Sequence, residues 1–96
     1  MTASEVYAEL IRRHIFDFPS PTDARLLADL PPHVERHRPV LARVYRDAWA
    51  TIREQMSRKE YRAWEPLVAA TRARWPWLWQ EHAEKAAWLL LIEGAP

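Results

Sequence analysis

Eight prolines and a single glycine divide this chain into short segments whose apolar residues recur at helical spacing. A proline ends or kinks a helix because it lacks a backbone N–H and its ring clashes with the preceding turn. No segment alternates apolar and polar residues with a period of two, and no Asn-Gly or Asp-Gly pair marks a hairpin turn. We therefore predict an all-α fold, a single compact bundle of four to six helices with short, proline-marked loops, in which residues 1–96 form one domain.

Capping residues give the first expected helix boundaries. Thr2 and Glu5 form a capping-box pattern that opens a helix over residues 3–16. Ser20 is expected to cap a second helix, which Pro31 prevents from continuing.

The middle of the chain carries the most regular helical pattern. Apolar residues fall on one stripe over residues 39–56, with charged residues opposite, which predicts an amphipathic third helix. A second capping-box pattern, at Ser57 and Glu60, opens a fourth helix that Pro66 should kink or split.

A last helix is expected over residues 76–93, with Pro76 in its first turn and Gly94 after its end. One side of this helix forms a complete core-facing stripe: Leu78, Trp79, His82, Ala83, Ala86, Leu89 and Leu90. Trp75 lies one turn before Trp79, so these two rings are predicted to pack together in the core.

The same helix carries large apolar side chains on its polar side as well. Trp77 and Trp88 are eleven residues apart and share that side, with Leu91 beside them and Glu81 and Glu84 as polar neighbours. These five residues form a predicted partner-binding face for another protein, either a different chain or a second copy. Two alternatives stay open: other helices bury this side, or it is exposed without a function.

Composition excludes several classes of protein and site. The net charge is +1, so no overall bias favours nucleic acid or a membrane, and no apolar run is long enough to span a bilayer. Because cysteine is absent, disulfides and cysteine-based zinc sites are excluded. The N-terminus is acidic rather than signal-like, which favours a cytoplasmic protein. Few amides and many prolines resemble thermophile composition, although GC-rich codon usage would give the same trend.

The histidines do not form a recognisable site. His33 and His37 have the spacing of two metal ligands on one helix side, but zinc-protease motifs need glutamate where this chain has valine and arginine. The prolines around them favour a polar loop instead. His14 and His82 lie on apolar stripes and no nucleophile accompanies them. We predict no enzymatic activity, no metal and no cofactor.

Nucleic-acid binding is the alternative to a protein partner. Residues 53–75 contain six basic and three acidic groups, a net +3, and the run "RARWPW" mixes guanidinium groups with aromatic rings. The residues that would carry this function are Arg58, Lys59, Arg62, Arg72 and Arg74. Since the net charge of the whole chain is nearly zero, the sequence favours a non-catalytic protein-binding module, a small adaptor, regulator or inhibitor of a larger assembly.

Overall fold

The computed structural model describes residues 2–13, 32–36 and 49–93, with the single positions 25, 28 and 39. Within these residues the regular structure is helical and no strand occurs. The helices are α1 (Ala3–Arg13), α2 (Pro32–Glu35), α3 (Trp49–Glu54), α4 (Arg58–Arg74) and α5 (Gln80–Glu93). The all-α class is confirmed for this part of the chain. The count of four to six helices stays a prediction, because most of the expected second helix and much of the third lie outside the described residues.

The radius of gyration is 12.6 Å, close to the value of about 12.5 Å expected for a compact domain of this length. No helix in the described ranges combines the length and apolarity that crossing a bilayer requires.

Both predicted capping boxes are formed. At the start of α1, the Glu5 N–H donates to Thr2 Oγ1 at 3.1 Å and the Thr2 N–H donates to Glu5 Oε1 at 3.3 Å. At the start of α4, Ser57 and Glu60 make the same reciprocal pair at 3.1 Å and 3.0 Å. These bonds satisfy amide groups that a helix end leaves without partners, so the sequence predicted both helix starts correctly.

Pro66 does not split α4, which runs unbroken over all 17 residues. The proline removes the hydrogen bond that the Arg62 carbonyl would otherwise accept. Both residues lie on the exposed side of the helix, so water can reach that carbonyl. Of the two predicted outcomes, a kink or a split, the split does not occur.

Two other boundaries differ from the prediction. The histidine stretch expected to be a polar loop contains the short helix α2, whose Val34 is buried in the core. Burial of one apolar side chain favours a helical turn there despite the neighbouring prolines. The third predicted helix ends at Glu54, two residues early, because Gln55 forms a turn.

α5 lies at the centre of the described structure and packs against both α1 and α4. Five consecutive residues, Ala83–Ala87, are buried, so neighbouring elements surround its middle on every side. Burial of the second apolar side was one of three alternatives predicted for the last helix, and the structure favours it for the middle of α5.

Small side chains let α1 and α5 approach closely. The Ser4 hydroxyl donates to the Ala86 carbonyl at 3.0 Å, and the Ser4 N–H donates to Glu93 Oε1 at 3.1 Å. The small residues on the two facing helices are fully buried: Ala3, Ser4, Ala8, Ala83, Ala86 and Ala87. Larger side chains would separate the backbones that these bonds join.

Candidate protein-binding surface

The tryptophan-rich stretch before α5 is a turn rather than a helix. We call residues 75–79 the aromatic turn. Trp75 ends α4, and its N–H donates to the Thr71 carbonyl at 2.9 Å. The Leu78 N–H then donates back to the Trp75 carbonyl at 3.1 Å, which closes a four-residue turn with Pro76 in second place. Proline is favoured at that place because its φ angle is already fixed near the required value.

The aromatic turn buries two of its five side chains and exposes the other three. Trp75 and Leu78 are buried, at 8% and 3% exposed. Trp77 is 40% exposed and Trp79 is 64% exposed, the most exposed tryptophan of the described chain. The turn therefore anchors itself on two apolar side chains and presents two indole rings outside.

This geometry corrects the predicted last helix. α5 begins at Gln80, so Trp77 precedes it and does not share a helix side with Trp88. Trp75 is buried as predicted, but Trp79 is exposed, so the prediction that these two rings pack together in the core was wrong. Pro76 fits the second place of a turn as well as the first turn of a helix, and burial of both Trp75 and Leu78 favours the turn.

Trp77 is held in place by α1. Its indole N–H donates to the Ala8 carbonyl at 3.4 Å. The guanidinium carbon of Arg12 lies 6.0 Å from the centre of the ring, at the edge of the range for a cation–π contact. The ring is thus exposed but oriented, which lowers the conformational entropy that docking would cost.

Trp79 lies beside a polar contact between helices. Its ring centre is 6.3 Å from that of His82. The His82 Nδ1 is 2.9 Å from the hydroxyl of Tyr7, a fully buried residue of α1. The surface that carries Trp79 is therefore linked, through His82, to the contact between α1 and α5.

The remaining residues of the predicted face occupy different environments. Trp88 and Leu91 are partly buried and pack against the core. Glu81 is exposed and pairs with Lys85, with 3.6 Å between Oε1 and Nζ. The structure leaves Trp77 and Glu81 on the surface but does not bring all five residues together on one open side.

Glu84 lies inside the molecule, at 8% exposed, where the sequence placed it on a polar side. Its carboxylate accepts from Arg53 Nη1 at 3.3 Å and from Gln80 Nε2 at 3.2 Å, and its backbone carbonyl accepts the Trp64 indole N–H at 2.9 Å. Partners from α3 and α5 satisfy the buried charge, as a buried carboxylate requires. The Trp64 bond uses a backbone carbonyl, which every residue offers, so it gave no sequence signal for the burial of this carboxylate.

The five basic residues of the alternative prediction are all exposed on α4. Arg58 and Arg74 are about 24 Å apart along the helix axis, and Arg72 and Arg74 point roughly 160° apart around it. The structure therefore does not gather these residues into one patch.

The basic residues also differ in their partners. Arg74 lies 3.5 Å from Glu5 and its guanidinium carbon is 4.4 Å from the Trp75 ring centre, while Arg72 donates to the neutral Gln80 side chain at 2.8 Å. Within the described residues, the other three basic residues, Arg58, Lys59 and Arg62, have no ion pair.

Glu5 joins the capping of α1 to the aromatic turn. Partial burial raises the pKa of its carboxyl, but the Thr2 hydrogen bonds and the Arg74 charge outweigh that effect. The pKa of Glu5 therefore lies below its ordinary value of 4.5. Through Arg74, this carboxylate connects α1 to the end of α4.

No group of three or more metal-binding side chains occurs within the described residues. His14 and His37 lie outside those residues, as does the side chain of His33. The structure does not test their predicted lack of a site.

Comparisons with models of protein families, with curated proteins and with solved structures found no match to this chain.

Proposed function

We propose that the protein is a non-catalytic protein-binding module whose docking surface is centred on Trp77 and Trp79. The exposure of two oriented indole rings on the aromatic turn carries this proposal. Fully buried, each ring would remove about 150–250 Å² from water, so the exposed parts offer roughly 200 Å² of aromatic surface. Tryptophan is among the residue types that dominate the binding energy of protein interfaces.

The charges around this surface favour a protein partner over nucleic acid. Arg74 pairs with Glu5, and Arg12, whose guanidinium carbon lies 6.0 Å from the Trp77 ring centre, is 3.7 Å from Glu9. Guanidinium groups already matched by carboxylates leave little net positive charge for a phosphate backbone. A polar, nearly neutral rim around an aromatic centre is typical of protein interfaces.

Trp77 stays in the proposed surface as the sequence predicted, and Glu81 stays as a polar neighbour. Trp79 takes the place of Trp88, because Trp88 packs against the core. Glu84 is not part of the proposed surface, since its carboxylate already binds Arg53 and Gln80.

The test compares three tryptophan variants of the full chain. Immobilised wild type and Trp79→Ala are exposed to cell extract, and proteins captured by wild type alone are identified by quantitative mass spectrometry. Each candidate is then purified and its Kd measured. We expect Trp79→Ala and Trp77→Ala to weaken binding about 30-fold, a loss near 2 kcal/mol.

Stability measurements separate docking from folding. Trp79→Ala should leave the urea midpoint nearly unchanged, because the ring is mostly exposed. Trp75→Ala, the matched control from the same turn, should cost about 3–5 kcal/mol because its ring is buried. Equal capture by wild type and Trp79→Ala would contradict the proposed surface.

A nucleic-acid function has one observation in its favour: Arg58, Lys59 and Arg62 are exposed and form no ion pair with another described residue. Its signature would be binding of labelled single-stranded DNA that weakens steeply between about 50 and 200 mM salt. Such binding, lost when these three residues are replaced by alanine, would favour this second candidate over the first.

A further inference from the structure

A cleft of about 390 Å³ lies between α4 and α5, and no residue of the aromatic turn lines it. Its volume falls within the range of about 300–1,000 Å³ that small-molecule sites occupy. Two of the residues that line it, Trp64 and Val68, are buried and apolar. Glu65, Ala69 and Arg72 line its α4 edge, and all three are exposed. The cleft therefore combines an apolar interior with charged groups at its edge.

The charges that α3 and α5 contribute to the cleft are already paired. Arg53 Nη1 lies 3.3 Å from Glu84 Oε1, and Gln80 Nε2 donates to the same carboxylate at 3.2 Å. One guanidinium and one carboxylate therefore balance each other on this side. What the cleft offers to a charged ligand depends on its α4 edge.

The α4 edge carries one charge of each sign that has no ionic partner in the part of the chain that the structure describes. The Glu65 carboxylate accepts no hydrogen bond there, and Arg72 donates at 2.8 Å to the neutral Gln80 side chain. A guanidinium group has five N–H donors, so Arg72 can still bind a carboxylate with two of them. Glu65 and Arg72 are seven residues apart, so they share one side of the helix about 10.5 Å apart along its axis.

We propose that this cleft binds a small zwitterion whose ammonium and carboxylate groups are about 10 Å apart, the chemistry of a tripeptide with free ends. Three extended residues span at most about 10–11 Å, which matches the axial separation of Glu65 and Arg72. The carboxylate of the ligand accepts from the Arg72 guanidinium, and its ammonium group donates to Glu65. The middle of the ligand packs over Ala69 and Val68, where an apolar side chain fits best.

The rest of α4 makes the two ends of the ligand unequal in strength. Near its start, α4 carries three exposed cations, Arg58, Lys59 and Arg62, and one acid, Glu60, none of which lines the cleft. The excess positive charge attracts the carboxylate of the ligand and opposes its ammonium group. Arg62 lies one turn from Glu65, so this opposition acts directly at the ammonium end. The carboxylate is therefore the stronger anchor.

The first measurement is two-dimensional NMR of the isotope-labelled full chain during titration with the tripeptide Ala-Leu-Ala. The Trp64 indole N–H and the Ala69 amide signals should shift, because both residues line the cleft, while the Trp79 indole signal should stay in place. We expect a Kd between about 0.1 and 1 mM, since a ligand of this size makes few contacts. Unchanged Trp64 and Ala69 signals at about 10 mM peptide overturn the proposal.

Blocking one end of the peptide at a time tests the two charges separately. A C-terminal amide should weaken binding about tenfold and an N-terminal acetyl group about threefold, because the carboxylate is the stronger anchor. The dipeptide Ala-Leu spans only about 7 Å, so it should bind no better than a blocked tripeptide. Equal affinities of the free and the doubly blocked tripeptide overturn the zwitterion, and a larger loss on acetylation than on amidation overturns the order of the two anchors.

Variants of the chain assign each end of the ligand to its residue. Arg72→Gln should weaken the free tripeptide about tenfold but leave the affinity for the amidated peptide unchanged, because that peptide lacks the group that Arg72 binds. Glu65→Gln should act in the same way on the free and the N-acetylated peptides. Both residues are exposed, so the urea midpoint should be nearly unchanged. Arg72→Gln that weakens the free and the amidated peptides equally overturns the assignment of the carboxylate to Arg72.

Two control variants separate this site from other parts of the surface. Arg58→Gln removes an exposed cation of α4 that does not line the cleft, and it should bind the tripeptide within about twofold of wild type. A loss as large as that of Arg72→Gln would show that the overall charge of α4, rather than the cleft, holds the peptide. Trp79→Ala should bind the tripeptide as wild type does, because Trp79 belongs to the surface proposed for a protein partner. Failure of one proposal therefore leaves the other standing.

Discussion

At the scale of single residues, most of what the sequence failed to predict is the burial of polar groups. Glu84 and Lys85 are charged, yet only 8% and 3% exposed. A helical pattern assigns charged residues to the solvent side, because burying an unpaired charge is costly. Here Gln80, one helical turn earlier, and Arg53 of α3 hold the Glu84 carboxylate, and the Arg53 contact joins residues that are distant in the sequence. Periodicity alone cannot find such partners.

The depressed pKa of Glu5 makes the stability of the protein depend on pH. A carboxyl whose pKa is lower in the folded state stabilises the fold above the unfolded pKa, 4.5 for Glu5, and loses that contribution as the pH falls through its lower folded value. We expect Glu5→Gln to reduce the free energy of unfolding at pH 7 by about 0.5–1 kcal/mol. The difference from wild type should shrink toward zero as the pH falls below about 4.

Urea unfolding of wild type and Glu5→Gln at several pH values between about 7 and 3 measures this difference. Glu54→Gln is the control, because Glu54 is exposed and has no ion pair within the described residues. A difference between wild type and Glu5→Gln that stays constant over the whole pH range would show that Glu5 does not stabilise the fold through its charge.

At the scale of helices, the sequence predicted those helix starts that depend on hydrogen bonds between residues close in the chain. Both capping boxes formed where Thr2 and Ser57 placed them, since each uses residues three apart. The start of α5 was not predictable in the same way. Pro76 suits a helix start and a turn equally, and the choice depends on burial of Trp75 and Leu78 by distant elements.

Pro66 inside α4 leads to a prediction at this scale. Pro66→Ala restores an N–H for the Arg62 carbonyl and raises helix propensity, although it increases the entropy of the unfolded chain. We expect a net gain of about 1–2 kcal/mol, seen as a higher urea midpoint. Pro76→Ala is the matched control and should lose about 0.5–1 kcal/mol, because proline favours the turn. A loss of stability in Pro66→Ala would mean that the proline is needed to shape α4.

At the scale of the whole molecule, α5 joins α1 and α4 into one unit. Its middle touches α1 through small side chains, and Trp64 of α4 donates to the Glu84 carbonyl on another side. The sequence predicted a helix with two apolar sides but did not show which neighbouring helices would bury them. That outcome depends on how the helices assemble, which no single segment encodes.

A larger side chain at the α1–α5 contact should therefore destabilise the whole fold rather than one helix. Ala86 is fully buried and its carbonyl accepts the Ser4 hydroxyl at 3.0 Å, so Ala86→Leu must push α1 and α5 apart. We expect a loss of about 1–3 kcal/mol, with far-UV circular dichroism and tryptophan fluorescence reporting the same lowered urea midpoint. Ala70→Leu, on the exposed side of α4, should stay within about 0.5 kcal/mol of wild type. If fluorescence shifts and circular dichroism does not, the aromatic turn unfolds apart from the helices, and α5 does not unite the fold.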